Sequence, residues 1–245
     1  MGNKQLPEHI AFIMDGNGRW ATARDLKRSK GHQAGVNALD HIIQYCYDIG
    51  IKNITFYAFS TENWTRPAEE VSKLMQILTR YLRVMMDRFH HDSSELYRHT
   101  KVRFIGDLGV FNPLQRSKIN RIMNQSDKVN YKMTLNIAIN YGGRAEIVKS
   151  VNEYIQKNPG KKITEKDIAA HLYTAGQPDP DLIIRTGGEM RLSNFLIWQA
   201  AYTEYYSTPV LWPDFNKEHL DDAIKAYQTR TRKFGGLVDI GKEKG

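Results

Sequence analysis

Short apolar runs rich in β-branched residues alternate with longer amphipathic stretches, and this alternation constrains the fold more than any other feature. The runs predict strands at residues 9–14, 53–59, 101–105, 132–139, 182–185 and 210–212. The stretches between them predict helices at about residues 32–49, 68–99, 113–124, 144–157, 165–174, 195–205 and 217–232, with Gly50 as C-cap of the first. Such alternation is typical of an α/β fold in which helices cover both faces of a mostly parallel sheet.

Length and composition favour a single domain over residues 1–245. The chain has no internal repeat or Pro/Gly/Ser-rich linker, and no window approaches ~18 consecutive apolar residues, the length of a transmembrane helix. One cysteine, Cys46, excludes an intrachain disulfide and a cysteine-rich zinc cluster. This cysteine usage makes a reducing cytoplasm the expected compartment, and the first residues show no apolar signal core.

The chain is basic, with 35 Lys and Arg against 27 Asp and Glu and a formal net charge of +8. This excess is compatible with three kinds of anionic partner: a nucleic acid, a membrane surface or a phosphorylated small molecule.

The predicted helix at residues 68–99 is unusually long, and thirty-odd helical residues span ~45 Å. Its apolar residues recur on one face. One interpretation is that this face packs in the core or at a dimer interface. The other is that it forms the wall of a long apolar groove. The residues concerned are Val71, Leu74, Met75, Leu78, Leu82, Met85 and Phe89.

The segment DGNGRW (residues 15–20) directly follows the first predicted strand. Ligands of parallel α/β sheets bind beyond the carboxyl ends of the strands. A carboxylate there, Asp15, suits a hard cation such as Mg²⁺, which also binds substrate phosphates. The two glycines let backbone N–H groups approach an anion, and Arg19 adds a bidentate donor. A plain surface turn explains the same dipeptides equally well.

Basic residues also gather just before the first long helix, where a helix N-terminus suits an anion. A solvated loop is the alternative explanation for this run, which comprises Lys27, Arg28, Lys30 and His32.

The segment STENWTRP (residues 60–67) follows the second strand and combines a hydroxyl, an amide, an indole and a guanidinium. A helix N-cap at Ser60 or Thr61 would explain part of it. Capping alone does not explain Asn63, Trp64 and Arg66 together.

The segment RTGGEMRLSN (residues 185–194) at the fifth strand resembles a phosphate cradle, because two arginines and a serine flank a Gly-Gly turn. Further on, Glu204 lies within an apolar run and is a second candidate metal ligand, with a buried salt bridge as the alternative. Two Gly-plus-Arg anion sites beside a long apolar helix suggest a reaction between two diphosphates that carry hydrocarbon.

Six segments in order resemble the cis-prenyltransferase family, specifically bacterial undecaprenyl diphosphate synthases. They are HIAFIMDGNGRWA (9–21), GHQAG (31–35), YAFSTENWTRP (57–67), NIAINYGGR (136–144), RTGGEMRLSN (185–194) and WQAAYTEYYSTPVLWPDF (198–215). Several long motifs in the right order are far more specific than a lone glycine-rich loop.

The resemblance implies a single domain around a six-stranded, mostly parallel sheet with an apolar tunnel, usually as a homodimer. The domain core would span about residues 8–236, with a flexible tail at 237–245. Its cofactor would be Mg²⁺, and its substrates would be isopentenyl diphosphate and an allylic diphosphate, typically farnesyl diphosphate. The product would be a long-chain polyprenyl diphosphate with new cis double bonds, expected to be undecaprenyl diphosphate for a cell-wall lipid carrier. The tunnel walls would be residues 68–99, the helix after His32, Leu135 and Ile137.

Individual residues also match the family pattern. Asp15 resembles the catalytic aspartate that handles Mg²⁺ and the allylic diphosphate, and Asn63 would position or relay the proton lost from isopentenyl C2. The allylic diphosphate site would comprise Gly16, Asn17, Gly18, Arg19, Trp20, Arg28, His32, Ser60, Glu62, Trp64 and Arg66. The isopentenyl diphosphate site would comprise Arg185, Arg191 and Ser193, with Glu204 as a Mg²⁺ ligand there. Asp214 matches a family aspartate, and residues 230–236 resemble a segment that reaches toward the neighbouring subunit.

Three other functions compete with this one. A nucleic-acid binder would fit the net charge, but no basic recognition module is present in the sequence. A non-catalytic prenyltransferase subunit should have lost Asp15 or Arg185, and this chain has both. A short- or medium-chain synthase with a blocked tunnel stays open. The matched arginines lie in separate loops, which favours two small diphosphates over a polymer, and the remaining basic excess suggests peripheral contact with an anionic membrane.

Overall fold

The computed structural model describes residues 5–91, 94–127 and 130–230 as one α/β domain. The strands are β1 (His9–Ile13), β2 (Asn53–Ser60), β3 (Thr100–Ile105), β4 (Met133–Tyr141), β5 (Leu182–Arg185) and β6 (Glu204–Ser207). The helices are α1 (Asn17–Thr22), α2 (Arg28–Ile49), α3 (Ala68–His91), α4 (Glu95–Arg98), α5 (Pro113–Ser126), α6 (Gly143–Lys157), α7 (Glu165–His171) and α8 (Lys217–Thr229). Short 3-10 turns lie at Thr61–Thr65, Leu108–Val110, Gln199–Tyr202 and Trp212–Asp214.

The six strands form one sheet in the order β3-β4-β2-β1-β5-β6, and every neighbouring pair is parallel. The predicted six-stranded parallel sheet flanked by helices is therefore confirmed. Side chains of a strand alternate between the faces. Ile10 and Phe12 of β1 accordingly belong to one hydrophobic cluster, and Ala11 and Ile13 belong to the other.

Two predictions around the sixth strand are wrong. Residues 195–205 do not form a helix, because Asn194 and Leu196 adopt left-handed φ values of 64° and 44° and turn the chain sharply. The sixth strand is Glu204–Ser207 rather than residues 210–212. Pro209 and Pro213 flank that short apolar run, and proline cannot donate a hydrogen bond to a ladder.

The bounds of several helices also differ from the prediction. The long helix ends at His91 instead of continuing to residue 99, and a separate short helix follows at Glu95–Arg98. Ser94 is the N-cap of this short helix, and serine favours caps over helix interiors. Helix α2 begins at Arg28, four residues earlier than predicted, and ends at Gly50 with the predicted positive φ, 90°. Residues 231–245, which include most of the predicted inter-subunit segment and the predicted flexible tail, lie outside the described residues.

The sheet order determines where a ligand can bind. Strand β1 lies between β2 and β5, so the segments that follow these three strands meet at one edge. The 3-10 turn after β6 closes this edge from the side, because the Trp212 N–H donates to the Asp15 carbonyl oxygen at 3.0 Å. None of the helices in the described ranges is long and apolar enough to cross a membrane.

Candidate active site

A polar cleft of about 680 Å³ lies at the carboxyl ends of β1, β2 and β5, as the sequence predicts. The candidate residues that line it are Asp15, Asn17, His32, Ser60, Glu62, Asn63, Arg66, Arg185, Arg191 and Ser193. The candidates that do not line it are Gly16, Gly18, Arg19, Trp20, Arg28, Trp64 and Glu204. Residues from both expected diphosphate sites therefore share one cleft.

Asp15 lies between two guanidinium groups in this cleft. Its carboxylate is 2.9 Å from Arg185 Nη2 and 3.3 Å from Arg19 Nη2. Partial burial acts to raise the pKa of Asp15, but the hydrogen bond and charge of Arg185, with those of Arg19, hold that pKa below its ordinary value. The carboxylate is therefore ionised at neutral pH and ready to bind a cation.

Two glycines allow the close packing around Asp15. Gly16 has φ 107°, and a Cβ there would come within 2.8 Å of the Leu211 side chain. Gly187 has φ 83°, and a Cβ there would overlap the Arg19 guanidinium. Only glycine adopts such backbone conformations readily. The glycines therefore bring Arg19 against the loop that follows β5.

Two guanidinium groups and the imidazole of His32, all of the expected allylic site, lie close to a carboxylate that the sequence analysis missed, Glu70. Arg66 Nη1 lies 2.9 Å from Glu70 Oε1, Arg28 Nε lies 3.7 Å from Oε2 and His32 Nε2 lies 3.9 Å from Oε1. The sequence signal for Glu70 was its position four residues after Arg66, the spacing of a helical ion pair. This cluster joins the N-terminal turns of α2 and α3 beside the cleft.

Three buried polar atoms of residues that line the cleft have no hydrogen-bond partner among the described residues: His32 Nε2, Asn17 Oδ1 and Arg185 Nε. Burial, followed by the charge of Arg66, lowers the pKa of His32, so its ring is neutral at neutral pH. Buried polar groups in native structures are rarely left unsatisfied. These atoms therefore point to a ligand, and a neutral imidazole N–H suits a phosphate oxygen.

The 3-10 turn Thr61–Thr65 forms the side of the cleft next to β2. Asn63 Oδ1 accepts a hydrogen bond from the Ser60 N–H at 3.0 Å, so the capping role considered for Ser60 is real. Trp64 Nε1 donates to Asn140 Oδ1 at 2.8 Å, and its ring packs edge-on against Phe59 at 5.0 Å. The turn thus directs Ser60, Glu62 and Asn63 into the cleft while Trp64 anchors it to the sheet.

Arg185 organises the opposite side of the cleft. Its Nη1 donates to the Arg191 carbonyl oxygen at 2.5 Å and to Ser193 Oγ at 2.7 Å, while Nη2 binds Asp15. The Arg191 guanidinium is exposed and pairs with Glu189 at 2.5 Å. Arg185 is therefore in direct contact with the two other residues expected to hold isopentenyl diphosphate.

Trp20 lies away from the cleft lining. Its indole Nε1 donates to Asp214 Oδ1 at 2.6 Å, and the Arg24 guanidinium stacks over its ring at 4.2 Å. Asp214, whose role the sequence left uncertain, thus fixes the exposed face of α1.

Glu204 also lies away from Asp15 within one chain. It pairs in register with Leu182, at the amino end of β5, whereas Arg185 at the carboxyl end pairs with Ser207. The offset of three residues corresponds to ~10 Å along a strand. The Glu204 carboxylate accepts a hydrogen bond from Arg230 at 2.7 Å, so within one copy of the chain it forms an ion pair, although a partly exposed one rather than the buried salt bridge of the alternative.

An apolar cavity of about 110 Å³ adjoins the polar cleft. Met14, Ala58 and Leu74 line both spaces, so the cavity opens from the cleft. Its walls come from α3, α2 and β4, the elements predicted to form the tunnel. Leu135, which was predicted to line the tunnel, is not among the lining residues. Its deeper walls include Val36, Leu39, Met75, Leu78, Tyr81, Ile137 and Ile139.

The chain resembles known proteins over nearly its whole length. The family model described as "Putative undecaprenyl diphosphate synthase" matches residues 13–235. The isoprenyl transferase of Fusobacterium nucleatum subsp. nucleatum is 48% identical over 238 residues, which cover 97% of this chain and 99% of that protein. The isoprenyl transferase of Aquifex aeolicus is 44% identical over 237 residues, which cover 96% of this chain and 98% of that protein.

Two solved structures share the fold. Lavandulyl diphosphate synthase from Lavandula x intermedia, in complex with dimethylallyl diphosphate, superposes with a TM-score of 0.87 at 35% identity, covering 94% of this chain and 99% of that chain. A probable undecaprenyl diphosphate synthase from Campylobacter jejuni superposes with a TM-score of 0.77 at 31% identity, covering 95% of this chain and 99% of that chain. The chain therefore belongs to the cis-prenyltransferase family of isoprenyl transferases and undecaprenyl diphosphate synthases.

Proposed function

We propose that this prenyltransferase condenses isopentenyl diphosphate with an allylic diphosphate, farnesyl diphosphate in particular. The observation that carries the proposal is the cleft with Asp15 at its centre. Arg28, His32 and Arg66 form one group around Glu70, in which His32 also lines the apolar cavity, and a second group lies around Arg185. Two diphosphates would bind the two groups, and the cavity would take the hydrocarbon.

The residues present fit a Mg²⁺ ion shared with a substrate. Mg²⁺ typically takes one or two protein carboxylates and completes its shell with phosphate oxygens and water. Asp15 supplies an ionised carboxylate, and Asn17 supplies an unsatisfied oxygen in the same cleft. No cluster of three or more His, Cys, Asp or Glu occurs in the described part of the chain, which suits a shared ion rather than an all-protein cage. When bound, Mg²⁺ neutralises diphosphate charge and makes it a better leaving group.

In the proposed reaction the allylic C1–O bond breaks and the electron pair leaves with the diphosphate. Arg19, Arg28, His32 and Arg66 would stabilise the growing charge on that leaving group. Arg185, Arg191 and Ser193 would hold isopentenyl diphosphate so that its double bond faces the allylic carbon, which replaces a bimolecular encounter by a positioned one. A C–C bond forms, and the proton lost from isopentenyl C2 passes to the departing diphosphate or to water at a position oriented by Asn63.

We propose a long-chain polyprenyl diphosphate, undecaprenyl diphosphate in particular, as the product and a cell-wall lipid carrier as its use. Support comes from the long apolar face of α3 beside the cleft and from the description of the matching family. A short- or medium-chain product is the second candidate, because the similar plant structure contains a five-carbon allylic diphosphate.

We further propose a homodimer in the cytoplasm that contacts the membrane peripherally. In one copy Glu204 lies away from Asp15, so a role of Glu204 in holding Mg²⁺ would require a second copy. Sedimentation of the protein alone and with vesicles of anionic lipid tests both proposals.

The test of the reaction is a condensation assay. The protein is incubated with farnesyl diphosphate, labelled isopentenyl diphosphate and Mg²⁺, and the extracted lipids are sized. Labelled products that grow in five-carbon steps support the proposal, and their final length separates the two candidate products. Absence of a labelled lipid would refute the function.

A further inference from the structure

Asn194 occupies a strained loop directly beside the expected isopentenyl site. Ser193, Asn194 and Leu196 have φ values of 49°, 64° and 44°, in the left-handed region that residues other than glycine rarely adopt. Among non-glycine residues, asparagine tolerates this region best. Such a loop persists only where its surroundings hold it.

The structure shows what holds the loop. The Asn194 carbonyl oxygen accepts a hydrogen bond from the Gly143 N–H at 2.7 Å, and its Oδ1 accepts one from the Arg144 N–H at 3.0 Å. Both donors belong to the first turn of α6. The backbone of the Ser193 loop is therefore fixed to α6 by Asn194.

The remaining polar group of Asn194 reaches the other side of the cleft. Its Nδ2 donates to Glu62 Oε1 at 2.7 Å. Glu62 lies in the Thr61–Thr65 turn, next to Asn63 and close to Arg66. One amide thus connects the turn that contributes Glu62 to the expected allylic diphosphate site with the loop expected to hold isopentenyl diphosphate.

The same hydrogen bond orients the negatively charged carboxylate of Glu62. Glu62 lines the cleft, where an unpaired carboxylate would repel a diphosphate. Asn194 Nδ2 and the Thr61 hydroxyl, at 3.1 Å, both donate to this carboxylate. The Glu62 side chain is thereby turned toward Asn194.

We propose that the Asn194–Glu62 hydrogen bond, which we name the clasp, couples the two substrate sites. An allylic diphosphate that orders the Thr61–Thr65 turn would order the Ser193 loop through the clasp and so tighten isopentenyl diphosphate binding. Asn194 acts as a positioning residue, since it works through Ser193 and Glu62. The proposal rests on the proposed function and adds a route of coupling between its two sites.

Exchanging donor and acceptor tests the clasp. Asn194→Asp keeps the acceptor for the Arg144 N–H but removes the donor to Glu62 and opposes two carboxylates. Glu62→Gln keeps an acceptor for Asn194. The double variant N194D/E62Q restores one hydrogen bond in the reverse direction, from the new amide at position 62 to the new carboxylate at position 194, at the net charge of the wild type. Asn152→Asp, at an exposed position of α6, controls for the added charge.

The dissociation constant of isopentenyl diphosphate is measured by titration calorimetry, with and without an inert allylic diphosphate. In this analogue, sulfur replaces the oxygen that joins the allylic C1 to phosphorus. In the wild type we expect the analogue to tighten isopentenyl diphosphate binding at least about fivefold, the lower end of typical coupling. N194D should lose this tightening, N152D should keep it and the double variant should recover it within about twofold. Equal thermal unfolding midpoints of N194D and the double variant would confirm that both are folded.

Full tightening in N194D, or a double variant no better than N194D, would overturn the clasp. So would a wild type without any tightening, even if it makes polyprenyl products. A wild type that binds neither diphosphate and makes no product would refute the proposed function, and the clasp with it.

Discussion

The ion pair of Asp15 and Arg185 sets the electrostatics of the cleft. Arg185 is only 6% exposed, and its guanidinium is shared among Asp15, the Arg191 carbonyl oxygen and Ser193. A phosphate bound by this group would lie beside a carboxylate of the same sign. A cation at Asp15 would remove that repulsion, which is the physical reason for proposing Mg²⁺ there.

Removing the Asp15 carboxylate should nearly abolish turnover. We expect Asp15→Ala to lower kcat by ~10³-fold, the upper range for losing one preorganised electrostatic group. Asp15→Asn, which keeps an acceptor for Arg185, should lose comparable activity and preserve the fold. Steady-state kinetics and thermal unfolding measure both effects, with the exposed Asp222→Ala on α8 as control. Activity of Asp15→Ala near that of the wild type would remove Asp15 from the mechanism.

The unsatisfied Nε2 of His32 predicts a binding defect. Losing a hydrogen bond to a charged group costs about 1.5–3 kcal/mol, so His32→Ala should weaken pyrophosphate binding by ~10–150-fold. The control is His41→Ala, because His41 is exposed on the same helix. Titration calorimetry with inorganic pyrophosphate measures the change. Equal affinity in both variants would mean that His32 does not contact the diphosphate.

For individual residues, the sequence predicts which charged side chains belong to the site better than it predicts the contacts among them. Asp15 was found because it follows a predicted strand, and Arg185 and Ser193 because they flank a Gly-Gly turn at the end of another. Glu70 and Asn194 were missed, because their importance comes from side chains that only the folded chain brings close. Glu204 was a candidate metal ligand from both its apolar surroundings and the resemblance, and the sequence did not reveal that its register with Leu182 puts it at the amino end of β5.

Among the elements, the strands of the sheet centre are the most predictable from sequence. Every residue of β1 and β4 is buried, and such strands stand out as apolar runs. The edge strand β6 is only half-buried and contains Glu204 and two tyrosines, so its pattern is weak. Residues 195–205 combine apolar side chains with left-handed turns, which a hydrophobic pattern cannot distinguish from a helix.

Helix α3 should determine product length. Leu74 lies where the cavity meets the cleft, and Leu78 lies one helical turn further. Leu78→Trp fills the cavity and should shorten the products by one or more five-carbon units, with binding of isopentenyl diphosphate unchanged. Gln76→Trp, at an exposed position of α3, is the matched control. Chromatographic sizing reads the result, and unchanged products with Leu78→Trp would place the growing chain elsewhere.

The contact of α2 with α3 implies slow product release. The cavity of about 110 Å³ holds only a few water molecules, so a long chain requires these helices to move apart. Each buried five-carbon unit stabilises the complex by ~4 kcal/mol, at ~0.8 kcal/mol per carbon group. We expect a nonionic detergent to raise the steady-state rate and leave the single-turnover rate unchanged. Equal rates in the two regimes without detergent would contradict slow release.

Across the whole molecule, a buried polar chain spans the sheet below the site. His9 lies within hydrogen-bond distance of the Pro178 carbonyl oxygen and Thr55 Oγ1, both at 2.8 Å, and Asn136 donates to Thr55 at 3.0 Å. Burial lowers the pKa of His9 to about 4, although the bond to Pro178 and the charge of Asp181 act in the opposite direction. Neutral His9 thus links β1, β2 and β4.

Protonation of His9 should destabilise the fold in acid. In the unfolded chain the pKa is near 6.5, so the unfolded state binds more protons between pH 6.5 and about 4. The free energy of unfolding should fall over this window as pH falls, by up to ~3 kcal/mol from this group. Urea unfolding at pH 7, 5 and 4 should show a shallower decline for His9→Gln than for the wild type. Parallel declines would exclude His9 as the cause.

The net charge of the chain indicates a kind of ligand only once the fold shows where the arginines lie. A net charge of +8 is compatible with several kinds of partner. Arg66, which follows β2, converges on one cleft with Arg185 and Arg191, at and after the end of β5, because β1 lies between β2 and β5, a strand order that the sequence alone does not reveal.

A crystal structure with Mg²⁺, isopentenyl diphosphate and the sulfur-bridged farnesyl analogue tests the two-site proposal most directly. We expect two diphosphates on either side of Asp15, one on Arg28, His32 and Arg66 and the other on Arg185, Arg191 and Ser193. The farnesyl chain should extend between α2 and α3 past Leu78. Both diphosphates outside this cleft, or a hydrocarbon chain that avoids the α2–α3 cavity, would contradict it.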